Sequence, residues 1–236
     1  MDRAGASIAV IAHRGASRLV GEDNTLRSFA RAIEIGCDYV EFDVRRCRDE
    51  LICFHDGHAG RSPVAKLTLA ELRERTGLAV PRLKEVLDFC RGRIGLDVEL
   101  KDTGLEAEVL SALRAVADDT PLLVKSLDRG VVAALLALAP PCPVGLLVGP
   151  PAPGPGRRKA LKAAVAACRT LHANFLSPHH SLLADEALAR AELQGIPAYP
   201  WTVNDPATMA RLAALPIRGM ITDRPDLLLE IVRKAH

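Results

Sequence analysis

Residues 39–44 read YVEFDV and residues 95–100 read GLDVEL. Each is a short run of apolar residues carrying two acidic residues two positions apart, a spacing that puts both on one face of a strand. Such strand-like runs alternate with longer helical patterns along the chain, which points to repeated βα units and a parallel sheet. Working outward, similar runs occur at 8–13, 122–126, 144–148, 174–177, 196–203 and 219–222. Helical text follows each strand in turn, at 26–35, 69–75 with 83–90, 105–117, 131–138, 158–171, 183–193, 206–215 and 225–234. Asn24-Thr25 and Asp205-Pro206 supply start signals for the first and seventh of these helical blocks. Eight βα units in 236 residues predict a single-domain TIM (β/α)8 barrel over residues 1–236. A strand-like segment at 51–54 is a short excursion after the second barrel strand.

Composition narrows the class of partner. With 31 Lys+Arg against 29 Asp+Glu and 3% aromatic residues, the chain has neither the positive field nor the stacking surfaces expected of a nucleic-acid binder. Any pull on an anionic substrate has to be local. The six cysteines, Cys37, Cys47, Cys53, Cys90, Cys142 and Cys168, show no CxxC pair or zinc-finger spacing and read as reduced thiols. The apolar run at 8–12 is too short for a signal peptide, so a cytoplasmic setting is expected. Residues 130–156 carry no charge and are long enough to cross a bilayer. Pro140, Pro141 and Pro143 divide that stretch into a helix, a turn and a strand, so no transmembrane segment is expected.

In a barrel of this kind, chemistry sits at the C-terminal ends of the strands. His13-Arg14-Gly15 follow the first strand, Glu41 and Asp43 lie near the end of the second, Glu99 and Lys101 end the third, and His55-Asp56 close the excursion. Trp201, Asn204, Thr222 and Asp223 arrive on the same rim. Glu41, Asp43 and Glu99 form an all-oxygen set. Crowded carboxylates either raise a pKa, recruit a hard cation such as Mg²⁺ or Ca²⁺, or pair with Arg14, Arg45 or Lys101. His13 and His55 are two imidazoles able to divide proton abstraction from leaving-group protonation near neutral pH. His58, His172, His179, His180 and His236 lack such a setting.

These residues carry a resemblance. HRGAS at 13–17, DNT at 23–25, EFDV at 41–44, FHD at 54–56, VPRLKEVL at 80–87, DVELK at 97–101, WTVND at 201–205 and ITDRPD at 221–226 resemble, in the same order, the motifs of the glycerophosphodiester phosphodiesterase family. The resemblance implies a TIM barrel that hydrolyses a small-molecule glycerophosphodiester to glycerol 3-phosphate and an alcohol with one divalent cation. It implies His13 and His55 as the acid/base pair, Glu41, Asp43 and Glu99 as metal ligands, Arg14 and Lys101 as phosphate contacts, and Trp201 as a substrate-lining residue.

The chain departs from the family pattern in three places. Asp23 stands where Glu is usual. The loop from Asp43 to His55 is one residue short, with Asp49-Glu50 where Asp-Gly is common, and the segment after His55 is short, which implies an open mouth. Two other readings compete. The same chemistry on lysophospholipids needs an apolar strip beside the mouth, and a non-catalytic barrel that only binds a phosphorylated ligand leaves the histidine pair without a task. Neither Ser nor Cys lies in the motifs apart from Ser17, so the nucleophile is water or the substrate's own 2-hydroxyl rather than an enzyme side chain.

Overall fold

The computed structural model describes residues 8–152 and 156–234. The expectation about the chain's start falls largely on residues 1–7 and the proline-rich run at 150–156 includes 153–155, so both lie partly outside the described residues, as does His236. The strands are β1 (Ala9–His13), β2 (Tyr39–Cys47), β3 (Glu50–Cys53), β4 (His58–Ala59), β5 (Ser62–Pro63), β6 (Gly95–Leu100), β7 (Leu122–Ser126), β8 (Val144–Val148), β9 (Phe175–Pro178) and β10 (Gly219–Thr222). The helices are α1 (Ser17–Val20), α2 (Leu26–Ile35), α3 (Leu69–Thr76), α4 (Leu83–Cys90), α5 (Glu106–Arg114), α6 (Arg129–Ala137), α7 (Arg157–Thr170), α8 (Glu186–Glu192), α9 (Pro206–Ala213) and α10 (Pro225–Lys234).

The principal sheet runs β10-β1-β2-β6-β7-β8-β9, all parallel, with β3 antiparallel to the far end of β2. The expected seventh barrel strand at 196–203 is reduced to two isolated bridges, Leu176 with Ala198 and His179 with Trp201. Pro197 and Pro200 explain the gap, since neither has an N–H to offer the ladder. The segment still closes the barrel. Leu176 N donates to Pro197 O and Tyr199 N to Leu176 O on one side, while Arg218 N donates to Ala198 O and Ile221 N to Pro200 O on the other.

The strands are apolar because helices cover them outside and side chains fill them inside; β6 is buried at all six positions and β7 at all five. Gly145 shows how tightly the interior is filled: a Cβ there would lie 2.0 Å from the ring of Phe175, its neighbour in register on β9. Helix starts follow local chemistry. Thr25 and Ser28 form a reciprocal capping box for α2, and Asp205 accepts from Thr208 N with Pro206 opening α9.

Two helical expectations need correction. The block at 183–193 is shorter than expected: Leu183 ends a 3-10 turn (His180–Leu183), and α8 starts afresh at Glu186 because Asp185 caps it by accepting from Leu188 N. Helix α1 has no counterpart in the sequence reading, since its single turn ends at Gly21, φ 78°, before any apolar period can show. The excursion after β2 carries its own small core of Cys47, Ile52, Phe54, Val64, Leu67, Leu72 and neighbours. Among the described residues, no helix is long and apolar enough to cross a membrane. Within the charge-free stretch the described residues include α6 from its second residue onward and β8. All six cysteines are free, five of them buried.

Candidate active site

Strand register assembles the site. His13 on β1 lies level with Glu41 on β2, and Glu41 with Asp97 on β6; the next row along β2, β6 and β7 is Asp43, Glu99 and Lys125. The chain therefore delivers two rows of ionisable side chains to the C-terminal half of one sheet. Glu41, Asp43 and Glu99 are 1%, 1% and 5% exposed, and one oxygen from each lies within 4.8 Å of the others.

Three carboxylates so placed cannot all stay ionised without compensation. Lys101 Nζ lies 2.6 Å from Glu99 Oε1 and 3.0 Å from Asp43 Oδ1. Burial pushes the Asp43 carboxyl up, but Lys101, Arg14 and the Asn24 hydrogen bond outweigh it and hold the group below the usual range. Glu99 goes the other way: burial and the charge of Asp43 push it up to about 7. The donor set fits a hard dication, being oxygen-only, buried and crowded, with Glu99 held up to about 7 even beside Lys101.

The HRG turn is built for its neighbours. Arg14 and Gly15 both adopt left-handed backbone, φ 54° and 83°, and a Cβ on Gly15 would lie 2.4 Å from Ser28 Oγ. The turn aims Arg14 N at Glu41 Oε2, 3.1 Å away, and Arg14 Nε at Asp43 Oδ2, 3.2 Å away. Asn24, itself at φ 52°, donates its amide to Asp43 Oδ2 at 2.8 Å and accepts from Asp43 N at 3.1 Å. Asp23 bonds Arg14 Nη1 at 3.0 Å and is not one of the clustered carboxylates.

His13 donates through Nδ1–H to Asp223 Oδ1 at 2.6 Å, with Nε2 3.9 Å from Glu41 Oε2. Burial pulls the imidazole down, yet the bond to Asp223 and the charge of Glu41 prevail and hold it above 6.5. Asn204 fixes Asp223 in turn, donating to its Oδ2 at 2.7 Å and accepting from its backbone N–H. His55 is more open, 38% exposed at the side chain, with Nδ1 2.8 Å from Asp56 Oδ1. The Trp201 indole N–H donates to the carbonyls of Val148 and Ser177, and its ring meets His179 edge-on, beside the tilted His179–His180 pair.

Several participants were not singled out by the sequence as site residues. Asp223 and Asn204 were visible only as rim polar groups; the bond of Asp223 to His13 crosses 210 positions, and Asn204 acts through Asp223. Lys125 and Asp97, both 1% exposed, pair beneath the cluster, with Lys125 Nζ 3.8 Å from Glu41 Oε1. The sequence signal was a charge inside each of two apolar strands. A cavity of about 500 Å³ opens beside His13 and is lined by Arg14, Ser17, Arg18, Gly21, Glu22, Asp23, Leu78 and Asp223.

The arrangement resembles known proteins throughout its length. The sequence profile described as the glycerophosphoryl diester phosphodiesterase family matches residues 13–227. A glycerophosphodiester phosphodiesterase of Caldanaerobacter subterraneus is 28% identical, over 95% of this chain and 98% of its own. Among solved structures, a phosphodiesterase of Oleispira antarctica in complex with the product sn-glycerol-3-phosphate has a TM-score of 0.75 at 25% identity, covering 96% of this chain and 97% of that one. A glycerophosphodiester phosphodiesterase of Thermotoga maritima matches in fold with a TM-score of 0.80 at 24% identity, covering 96% and 99%.

Proposed function

The chain belongs to the glycerophosphoryl diester phosphodiesterase family and is an enzyme of that kind, and from this premise we propose that it hydrolyses small glycerophosphodiesters with one divalent cation and a histidine pair. The observation that carries the proposal is the juxtaposition of the buried Glu41, Asp43 and Glu99 cluster with His13, whose Nε2 is 3.9 Å from Glu41.

Glu41, Asp43 and Glu99 would hold Mg²⁺ or Ca²⁺. When bound, the ion supplies charge stabilisation for the phosphoryl oxygens. The protein's own groups do the rest. Four buried carboxylates, Glu41, Asp43, Asp97 and Glu99, face three cations, Arg14, Lys101 and Lys125, so a dication would turn a slightly negative site into one matched to a monoanionic diester. Arg14 and Lys101 contact the phosphate. Asp223 keeps the Nδ1 proton on His13 and leaves Nε2 free for proton transfer, and His55 works from the open side of the mouth. One histidine takes the proton of the attacking hydroxyl and the other protonates the leaving alcohol. The attack comes from the substrate's 2-hydroxyl, which gains from proximity and expels the alcohol to give a cyclic phosphate. Water then opens that ring to glycerol 3-phosphate, with the same two histidines exchanging roles. Trp201 lines the alcohol side.

The cavity supports a water-soluble substrate over a lysophospholipid, because among the described residues Leu78 is the one large apolar side chain on its wall. The test is an assay of product release across glycerophosphodiesters and lysolipids with each metal, on wild type and on His13→Ala and His55→Ala. Both variants should lose at least about a hundredfold in turnover. Near-normal turnover in either makes that histidine structural. Preference for lysolipids would reverse the substrate assignment.

A further inference from the structure

The geometry points to Arg45, with Asp102, as the device that positions His55, an inference that rests on the reading of His55 as a catalytic residue. Alternation along β2 puts Glu41, Asp43 and Arg45 on one face, so Arg45 is the next step outward after two of the clustered carboxylates. It does not join them. Its Nε donates to the backbone carbonyl of His55 at 2.8 Å, and Nη1 pairs with Asp102 Oδ1. Asp102 is fixed in turn, its Oδ2 accepting from Arg46 N at 3.1 Å, and it directly follows Lys101 at the end of β6.

The arrangement matters because His55 has weak support of its own. Its side chain bonds Asp56, the adjacent residue and 69% exposed, which cannot fix the imidazole against the barrel. Strand β3 ends at Cys53, and among the described residues the bonds tying this turn to β2 are Phe54 N to Asp43 O, 3.0 Å, and Arg45 to His55 O. The guanidinium also underlies the next turn residue, since a Cβ on Gly57 would lie 3.8 Å from it. A side chain 18% exposed thus links the histidine loop to the two strands that carry Glu41, Asp43 and Glu99. Arg45 is a positioning residue: among the described residues it belongs to neither the cavity lining nor the carboxylate cluster, and it acts through His55.

The test combines steady-state kinetics with backbone ¹⁵N relaxation on Arg45→Met, Arg45→Lys, Asp102→Asn, His55→Ala and the Arg45→Met/His55→Ala double variant. Loss of alignment of a catalytic group predicts kcat down about ten- to a hundredfold in Arg45→Met with KM within about twofold. Order at residues 54–57 should fall in the same variant. Arg45→Lys, which keeps the charge but not both bonds, should lose less. In the His55→Ala background, Arg45→Met should cost nothing further, because both act through one side chain. Asp102→Asn tests the same link if Arg45→Met folds poorly, with a smaller kcat loss and the same non-additivity. Normal kcat in both Arg45→Met and Asp102→Asn, a multiplicative loss in the double variant, or a kcat loss with unchanged relaxation would overturn the inference. Full turnover in His55→Ala would instead remove the reading of His55 on which it rests.

Discussion

Replacing Lys125 with Met should destabilise the fold by an amount that grows with pH. Lys125 is 1% exposed; its ammonium binds Asp97 and lies 3.8 Å from Glu41 Oε1. Met keeps most of the stem, so the loss is a charge and a hydrogen bond rather than a cavity. Removing one member of a buried pair costs about 3–5 kcal/mol when the partner is left charged. Here a proton limits the damage. Burial, against the pull of Lys125, already holds the Asp97 carboxyl at about 6, above its ordinary 3.8. At pH 7 that carboxyl lies about one unit from protonation, roughly 1.4 kcal/mol, and a lost hydrogen bond adds about 1 kcal/mol. The expected cost at pH 7 is therefore roughly 2–3 kcal/mol.

The pH dependence has a definite sign. An acid whose folded pKa lies above its unfolded one loses stability as pH rises between the two values. In the wild type that loss ends near pH 6. In Lys125→Met the carboxyl holds its proton further up, so stability goes on falling by about 1.4 kcal/mol per pH unit. The gap between the two proteins should widen from about 1 kcal/mol at pH 6 to about 4 kcal/mol at pH 8. Urea unfolding followed by circular dichroism, in chelator at pH 6, 7 and 8, measures it. A gap that is constant or shrinks over this range would refute the assignment of Asp97 as the proton acceptor below the site.

Three further outcomes are expected. Asp223→Asn removes the carboxylate 2.6 Å from His13 Nδ1; the His13 pKa should fall in an NMR titration, and kcat should drop at least about tenfold with less change in KM. An unmoved His13 titration would contradict the pairing. Glu41→Gln should weaken Mg²⁺ or Ca²⁺ binding by calorimetry at least about tenfold without lowering stability in chelator, since it relieves crowding among like charges; full activity after exhaustive chelation would end the metal assignment. A substrate whose glycerol 2-hydroxyl is replaced by hydrogen should bind but turn over hardly at all, whereas brisk hydrolysis would make water the nucleophile.

Much of this molecule could be read along the chain, and the reason is local. The strands at 95–100, 122–126, 144–148 and 219–222 and the helices at 26–35, 83–90 and 225–234 have the bounds read from the sequence. Their apolar runs, caps and glycine stops act within a few residues. Glu41, Asp43 and Glu99 were legible because period-two alternation at strand ends fixes which side chains share a face. What failed was what local pattern does not encode. Residues 196–203 have the hydropathy of a strand, but Pro197 and Pro200 remove ladder donors, and closure comes from bonds supplied by β9 and β10. One-turn α1 is too short to carry a period.

Only the tertiary structure decided the partners. It set Asp223 against His13 and Arg45 under His55, and it put Lys125 beneath Glu41 instead of outside the barrel. It also divided the carboxylates, lowering Asp43 and raising Glu99 to about 7, although the two stand level on adjacent strands. The residue types were written in the chain; the charge each one carries depends on burial and on neighbours that barrel closure and strand register bring within a few ångströms.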